Sequence, residues 1–301
     1  MQTRRLIMAL ALALAPATAL AQQTIVIKFS HVVAAETPKG KGAEHFKKLA
    51  EERTKGRVKV EVYPNSTLYR DVEEMQPLQV GAVQMLAPTF AKLVPLGAKE
   101  FELFDLPYVF ANYNELHRVT QGPIGRQLLG KLENKGILGL ALWDNGFKQM
   151  SANKPLKSPD DFKGLKMRVQ QGSRALELQM RAMGATPQGL PLSEVAKAVQ
   201  AGVIDGTENP LSNFYTQKIY EVQKYLTLSD HGYLGYAVIV NKKFWDGLPP
   251  DIRATLEGAM KDTTTLVNDI AKKENDDALE AVKKSGRTQI LTLTPQEKGE
   301  W

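Results

Sequence analysis

The amino-acid sequence predicts an α/β protein, and three observations carry that expectation. Short runs rich in β-branched and aromatic residues alternate with amphipathic helical stretches, the pattern of a largely parallel sheet with helices packed on it. The alternation occurs once before residue 90 and begins again at residue 137. Residues 251–284 then hold an almost uninterrupted helical period, longer than one compact domain usually needs.

The elements follow in order. Residues 1–21 precede the fold: Arg4 and Arg5, an apolar run and the small-x-small site Ala19-Leu20-Ala21 have the order of a bacterial secretory signal. Sec and Tat export stay equally open. Residues 24–30 (TIVIKFS) read as a strand, and after a polar loop Ala43, Phe46, Leu49 and Ala50 share one helical face. Residues 58–63 alternate as a half-buried strand, followed by a helix from about 71 to 79 and a short strand at 82–86.

In the second block residues 137–143 form a strand, Asn145-Gly146 follows, and an extended stretch runs on to Ser151. Residues 165–169 make a further strand and 173–183 a helix closed by Gly184. Ser193 is expected to cap the helix SEVAKAVQAG, with Glu194 in its first turn. Another helix follows Asn209-Pro210, and 236–240 returns to strand. The long period from 251 is either one helix able to cross between two lobes or two helices broken at Asn275-Asp276-Asp277. Thr294-Pro295-Gln296-Glu297 has the capping residue, first-turn Pro and third-position Glu of a helix start. The chain reaches Trp301 barely one turn later, so the sequence is expected to be truncated within that helix.

Composition removes several functions. No cysteine occurs, which excludes disulfides, a thiol nucleophile and Cys-based metal sites. The four histidines (His31, His45, His117, His231) are scattered, so neither a metal nor a cofactor is expected. Of 39 Lys+Arg against 33 Asp+Glu, two arginines belong to the leader, and the remaining charge is mixed along the chain. No basic stripe suggests nucleic acid. Ser151-Ala-Asn-Lys154 fits SxxK, but no KTG accompanies it and Ser229-Asp230-His231 is a poor SDN. GxSxG, GxxxxGK[ST] and GxGxxG are all absent, so no enzymatic activity is expected.

The informative cluster is 161–170, DFKGLKMRVQ. Arg168 shares a strand face with Lys166 and sits at the carboxyl end of the strand, where open α/β sheets place ligands. Its planar donor fork matches a carboxylate. Spacing alone describes a surface arginine at a strand end better than a ligand clamp.

The ordered runs GLKMRVQ, LPLSEVAKAVQAGVIDGTENP and IYEVQKYL resemble the substrate-binding proteins of TRAP transporters, most closely the C4-dicarboxylate-binding DctP type. IKFSHVVAAETPKGKGAEHFKKLAEE, VQMLAPTF, FDLPYVF and WDNGFKQMSANKPL extend the resemblance over essentially the whole mature chain. It implies a two-lobed periplasmic binding protein fold with a cleft between lobes, hinge strands and a long inter-lobe helix. Residues 24–145 plus 235–274 are expected in lobe I and 146–234 plus 275–301 in lobe II.

By the same resemblance Arg168 clamps a substrate carboxylate and Asn209 supplies amide donors to it. Lys148 occupies a cationic position, while Arg70, Lys39, His31 and Phe214 line the cleft. A C4-dicarboxylate carries charge at both ends, so burying it demands cations at both: Arg168 at one, and Lys148, Arg70 or Lys39 at the other. Gln170, Gln171 and Asn209 are reachable partners for a ligand hydroxyl, and Gly146 and Gly235 are candidate hinge positions against the alternative of simple turn glycines. The expected protein is a monomeric periplasmic receptor that hands a C4-dicarboxylate to a TRAP membrane permease. The alternatives are another organic acid in the same cleft, a monocarboxylate, 2-oxo acid, aromatic acid or sugar acid, or a receptor serving only a sensor.

Overall fold

The computed structural model describes residues 24–301; the expected leader, 1–21, lies outside them. Strand β1 (Ile25–Ser30) leads through helix α1 (Pro38–Arg53) to the parallel strand β2 (Val58–Tyr63). Thr37 caps α1 by accepting from the Gly40 amide, with Pro38 supplying a pre-set first turn. Phe46, Ala43 and Ala50 are buried as their spacing predicts. Helix α2 (Met75–Val80) and the two-residue strand β3 (Met85–Leu86) follow, both shorter than expected. Two 3₁₀ stretches at 90–96 and 99–105, helix α3 (Tyr113–Thr120) and helix α4 (Pro123–Gly130) complete this part.

Strand β4 (Ile137–Ala152) is a single 16-residue strand running straight through Asn145-Gly146. Beyond it lie β5 (Lys166–Val169), α5 (Arg174–Ala182), β6 (Thr186–Gly189), α6 (Val195–Gln200), β7 (Gly206–Asn209) and α7 (Leu211–Thr216). The chain returns along the 17-residue strand β8 (Tyr225–Asn241) and ends in α8 (Lys242–Asp246), α9 (Pro250–Ser285), β9 (Gln289–Thr292) and α10 (Pro295–Glu300). Ser193 does not cap α6: it lies inside a 3₁₀ turn, and α6 begins at Val195 with no side-chain cap. A distant carboxylate, Asp71, takes the Leu192 amide at 2.7 Å instead.

All nine strands join one sheet in the order β2-β1-β3-β8-β4-β7-β5-β6, with β9 added along β8. Strands β4 and β8 pair antiparallel from Ile137 opposite Asn241 to Ala152 opposite Tyr225. One half of this ribbon carries β3, and the other carries β7 and β9. Alternation along it sends side chains to opposite faces. Trp143, Tyr236 and Val238 enter a core with Phe29, Phe46 and Val267, whereas Leu142, Tyr233 and Ile239 enter another with Phe90, Phe101 and Phe104. The other half builds two further cores, one around Val195, Phe214 and Leu226, the other around Met150, Phe162 and Met167. Four separate cores on a shared ribbon make two lobes.

Gly146 and Gly235 sit where the ribbon crosses between the lobes, beside a bulge at Asp144–Gly146. Close approach accounts for both, since a Cβ on Gly146 would lie 2.7 Å from the Asn275 amide and one on Gly235 would lie 2.7 Å from the Phe90 ring.

Helix α9 is unbroken for 36 residues, roughly 54 Å. It gives Ile252, Leu256 and Val267 to a core of the first lobe and Ala278 and Val282 to one of the second. The alternative of two helices is overturned: Asp276 and Asp277 point outward and pair with Lys272 and Lys273 one turn earlier. Asn275 points inward, donating to the Asn145 carbonyl at 2.7 Å and accepting from the Ser212 amide at 2.9 Å. No helix among the described residues is long and apolar enough to cross a membrane.

Candidate functional site

Met167 and Val169 face a core, so the intervening Arg168 is turned to the other side of β5. It is 5% exposed, and its Nε donates to the Leu190 carbonyl at 3.0 Å. The guanidinium makes no other hydrogen bond among the described residues. Asn209 ends β7, where Pro210 stops the strand and opens α7, placing Asn213 in that helix's first turn. Asn145 donates to Asn213 at 3.1 Å and to the Tyr236 hydroxyl at 2.7 Å.

Arg168, Gln170, Asn209 and Asn213 from one lobe meet Asp71, Thr89 and Tyr236 from the other around a cavity of about 20 Å³. That is room for about one water, so these walls must separate to admit anything larger. Bonds across the cleft hold it shut. Gln170 donates to Thr89, Leu192 N to Asp71, Ser173 to Asp105 at 2.8 Å, and Arg70 pairs with Glu194 at 3.2 Å.

The charges around this cleft are arranged unevenly. Four lysines and arginines are buried among the described residues: Lys39, Lys92, Lys148 and Arg168. Lys92 holds Asp71 and Glu74, each at 2.7 Å. Lys148 holds Glu208 at 2.8 Å and Asp105 at 3.5 Å. Each of these lysines is therefore matched by two carboxylates, while Arg168 and Lys39 have no ion-pair partner among the described residues. Lys39 donates to the Ala87 carbonyl at 2.9 Å and stands 3.7 Å from the centre of the Tyr236 ring.

The titrations follow this arrangement. Burial, and then the Lys92 charge, pull Lys39 down to about 7. Burial also lowers Arg168, an effect that Asp71 and Glu208 partly offset. Burial would raise Asp71, but Lys92 outweighs it and brings the carboxyl to about 2. Lys148 does the same for Glu208, helped by His231 at 2.7 Å, and Glu208 also falls to about 2.

Arg168, Asn209 and Gln170 thus meet as predicted residues of one cavity wall, and Lys39 adjoins it through Tyr236. His31 is buried beside Lys39 at the carboxyl end of β1, with neither ring nitrogen hydrogen-bonded. Three further predicted residues lie elsewhere. Lys148 does not line the cavity, because Glu208 and Asp105 engage its ammonium. Arg70 is an exposed partner of Glu194, and the inward position belongs to its neighbour Asp71, 4% exposed. Phe214 packs in the core with Val195 and Ile219 rather than in the cleft. Sequence reasoning missed Asp71, Thr89, Asn213 and Tyr236. Asn213 alone left a signal, lying one helical turn past Asn209 behind a strand-ending Pro. Among the described residues no three His, Cys, Asp or Glu gather as metal ligands.

Comparison with known proteins agrees with this architecture. The family described as bacterial extracellular solute-binding protein, family 7 (DctP), matches residues 29–301. The chain is 60% identical over 305 residues to the C4-dicarboxylate-binding periplasmic protein DctP of Rhodobacter capsulatus, covering 100% of this chain and 91% of that one. A TRAP periplasmic solute-binding protein of Pseudomonas aeruginosa, solved with bound L-malate, superposes with a TM-score of 0.89 at 45% identity, covering 92% of this chain and 96% of that one. Its counterpart from Shewanella oneidensis, with bound succinate, gives a TM-score of 0.90 at 42% identity, covering 92% and 90%.

Proposed function

The chain belongs to family 7 of the bacterial extracellular solute-binding proteins, and from that membership and the cleft geometry we propose that it is the periplasmic receptor of a TRAP transporter for C4-dicarboxylates. The observation that carries this reading is the pair of buried cations without carboxylate partners, one per lobe. Arg168 takes one ligand carboxylate, with the amides of Asn209 and Asn213 beside it. Lys39 takes the other from the opposite lobe. Malate and succinate bound in the two related structures support a four-carbon diacid as the occupant. The lobes comprise 24–145 plus 235–274 and 146–234 plus 275–301, a division followed by most of the four cores' residues and crossed by Val32 and Val33 in one core and Tyr233 in another.

The receptor, a monomer exported by its leader, passes the ligand unchanged to a membrane permease. One side-chain chain has the order of a hydrolytic triad: Ser229 Oγ lies 2.8 Å from His231 Nδ1, and His231 Nε2 lies 2.7 Å from Glu208. Ser229 is 0% exposed and Glu208 also pairs with Lys148. It is a structural network that ties β8 to β7.

A thermal-shift screen tests the assignment. Ligand at a hundred times Kd stabilises the native state by about 2.7 kcal/mol, a rise of roughly 5–10 °C for a protein of this size. The expected result is a shift with succinate, malate or fumarate and none with propionate or galactonate at equal concentration. A shift confined to single acids or sugar acids overturns the dicarboxylate reading.

A further inference from the structure

Among the described residues, three of the seven buried side-chain atoms that lack hydrogen-bond partners fall on two consecutive residues: Ser30 Oγ and both ring nitrogens of His31. Native proteins rarely leave such atoms unpaired, because each then loses its hydrogen bond to water without replacing it. Their place is specific. They end β1, at the carboxyl edge of the parallel strands where α/β sheets receive ligands. The next two residues, Val32 and Val33, line the Arg168 cavity. Lys39, the first-lobe cation without a carboxylate, opposes protonation of the His31 ring. Lys92, Glu74 and Asp71 act in turn on Lys39.

We propose that His31, with Ser30, receives the ligand carboxylate held beside Lys39, and that it binds that carboxylate as an imidazolium, taking up a proton from solvent as the ligand arrives. The inference rests on the dicarboxylate reading above. A neutral ring can donate one hydrogen bond to a carboxylate, whereas an imidazolium donates two and does so with charge assistance. In the structure burial, and then the Lys39 charge, hold the ring near 3. The Val33 carbonyl slightly favours its protonated form without meeting hydrogen-bond geometry. An arriving carboxylate cancels the Lys39 repulsion and supplies the missing acceptor, and both changes favour the charged ring. The linkage makes binding tighter as pH falls.

The test is calorimetric titration with fumarate, whose carboxyls are both ionised at pH 6, in buffers of different protonation enthalpy. The dependence of the heat on buffer counts protons taken up per ligand bound. Lys39, titrating near 7, is already about nine-tenths charged at pH 6. The expected count is therefore close to one for the wild type and about 0.1 for His31→Gln. A wild-type count near zero, or an unchanged count in His31→Gln, overturns the proposal. Should His31→Gln not fold, the wild-type Kd decides: it tightens close to tenfold from pH 6.5 to 5.5, where Lys39 alone gives less than about twofold. A Kd that stays within twofold over that interval refutes the coupling. Absence of any fumarate, malate or succinate binding is a different result and refutes the dicarboxylate reading on which the proposal rests.

Discussion

Arg168→Ala isolates the chemistry of the cleft from the integrity of the fold. The side chain gives the protein one hydrogen bond, from Nε to the Leu190 carbonyl, worth about 0.5–1.5 kcal/mol. The two carboxylates near it keep their own partners when it goes. Asp71 retains Lys92 at 2.7 Å and the Leu192 amide, and Glu208 retains Lys148 and His231. Burial also disfavours the Arg168 charge, so removing it offsets part of the bond lost. The expected ligand-free Tm is unchanged or slightly lowered.

Binding behaves differently. Truncating one partner of a buried, hydrogen-bonded charge pair costs about 2–5 kcal/mol, a loss of roughly 30- to 4,000-fold in affinity. Arg168→Lys keeps the charge but not the planar fork, so it falls between wild type and alanine. Titration calorimetry with succinate on each variant, with circular dichroism to verify folding, reads both effects. A folded Arg168→Ala protein that binds within threefold of wild type refutes the clamp.

Two further outcomes follow. Lys148→Met leaves Glu208 and Asp105 buried without their shared cation. The loss of about 3 kcal/mol or more is read as a Tm lowered by at least roughly 6 °C, while succinate affinity falls far less than in Arg168→Ala. An affinity loss equal to that of Arg168→Ala would return Lys148 to the ligand. His117 lies 2.5 Å from the buried Asp144, and that hydrogen bond raises it above its ordinary value. Its contribution to stability is thus complete below about pH 6.5 and lost as pH rises through the folded value. The Tm advantage of wild type over His117→Gln should shrink between pH 6 and 8, and a pH-independent difference would contradict this.

The sequence conveyed elements better than it conveyed partnerships. The α/β class, α1 and the long α9 were legible because period and caps are local properties. Asp276-Asp277 suggested a break only because their lysine partners one turn back could be recognised once the helix was assumed. Arg168 and Asn209 were legible as strand-end polar residues within a recognisable motif. Lys148 looked like a free cation because the carboxylates that engage it stand 43 and 60 residues away. Arg70 and Asp71 show the finest failure. Nothing in the local pattern says which of two adjacent charges a loop turns inward, and the Leu192 amide and Lys92 select the acid. Phe214 was read as cleft-lining for want of knowing that its neighbours Ile219 and Leu226 close a core around it.

The unequal sharing of charge also bears on selectivity. In this closed arrangement Arg168 and Lys39 are buried without carboxylates, and burial lowers the titration of each. A ligand shifts the closing equilibrium only by its differential affinity for the closed form. Moving that equilibrium from 1:99 to 99:1 takes about 5.5 kcal/mol. One charge pair of about 2–5 kcal/mol falls short of this, whereas two together, at about 4–10 kcal/mol, span it. Within the proposed reading, a single acid occupies the Arg168 end and leaves the lobes largely open. A diacid neutralises both cations at once, so its preference resides in the closing step as much as in the contacts themselves.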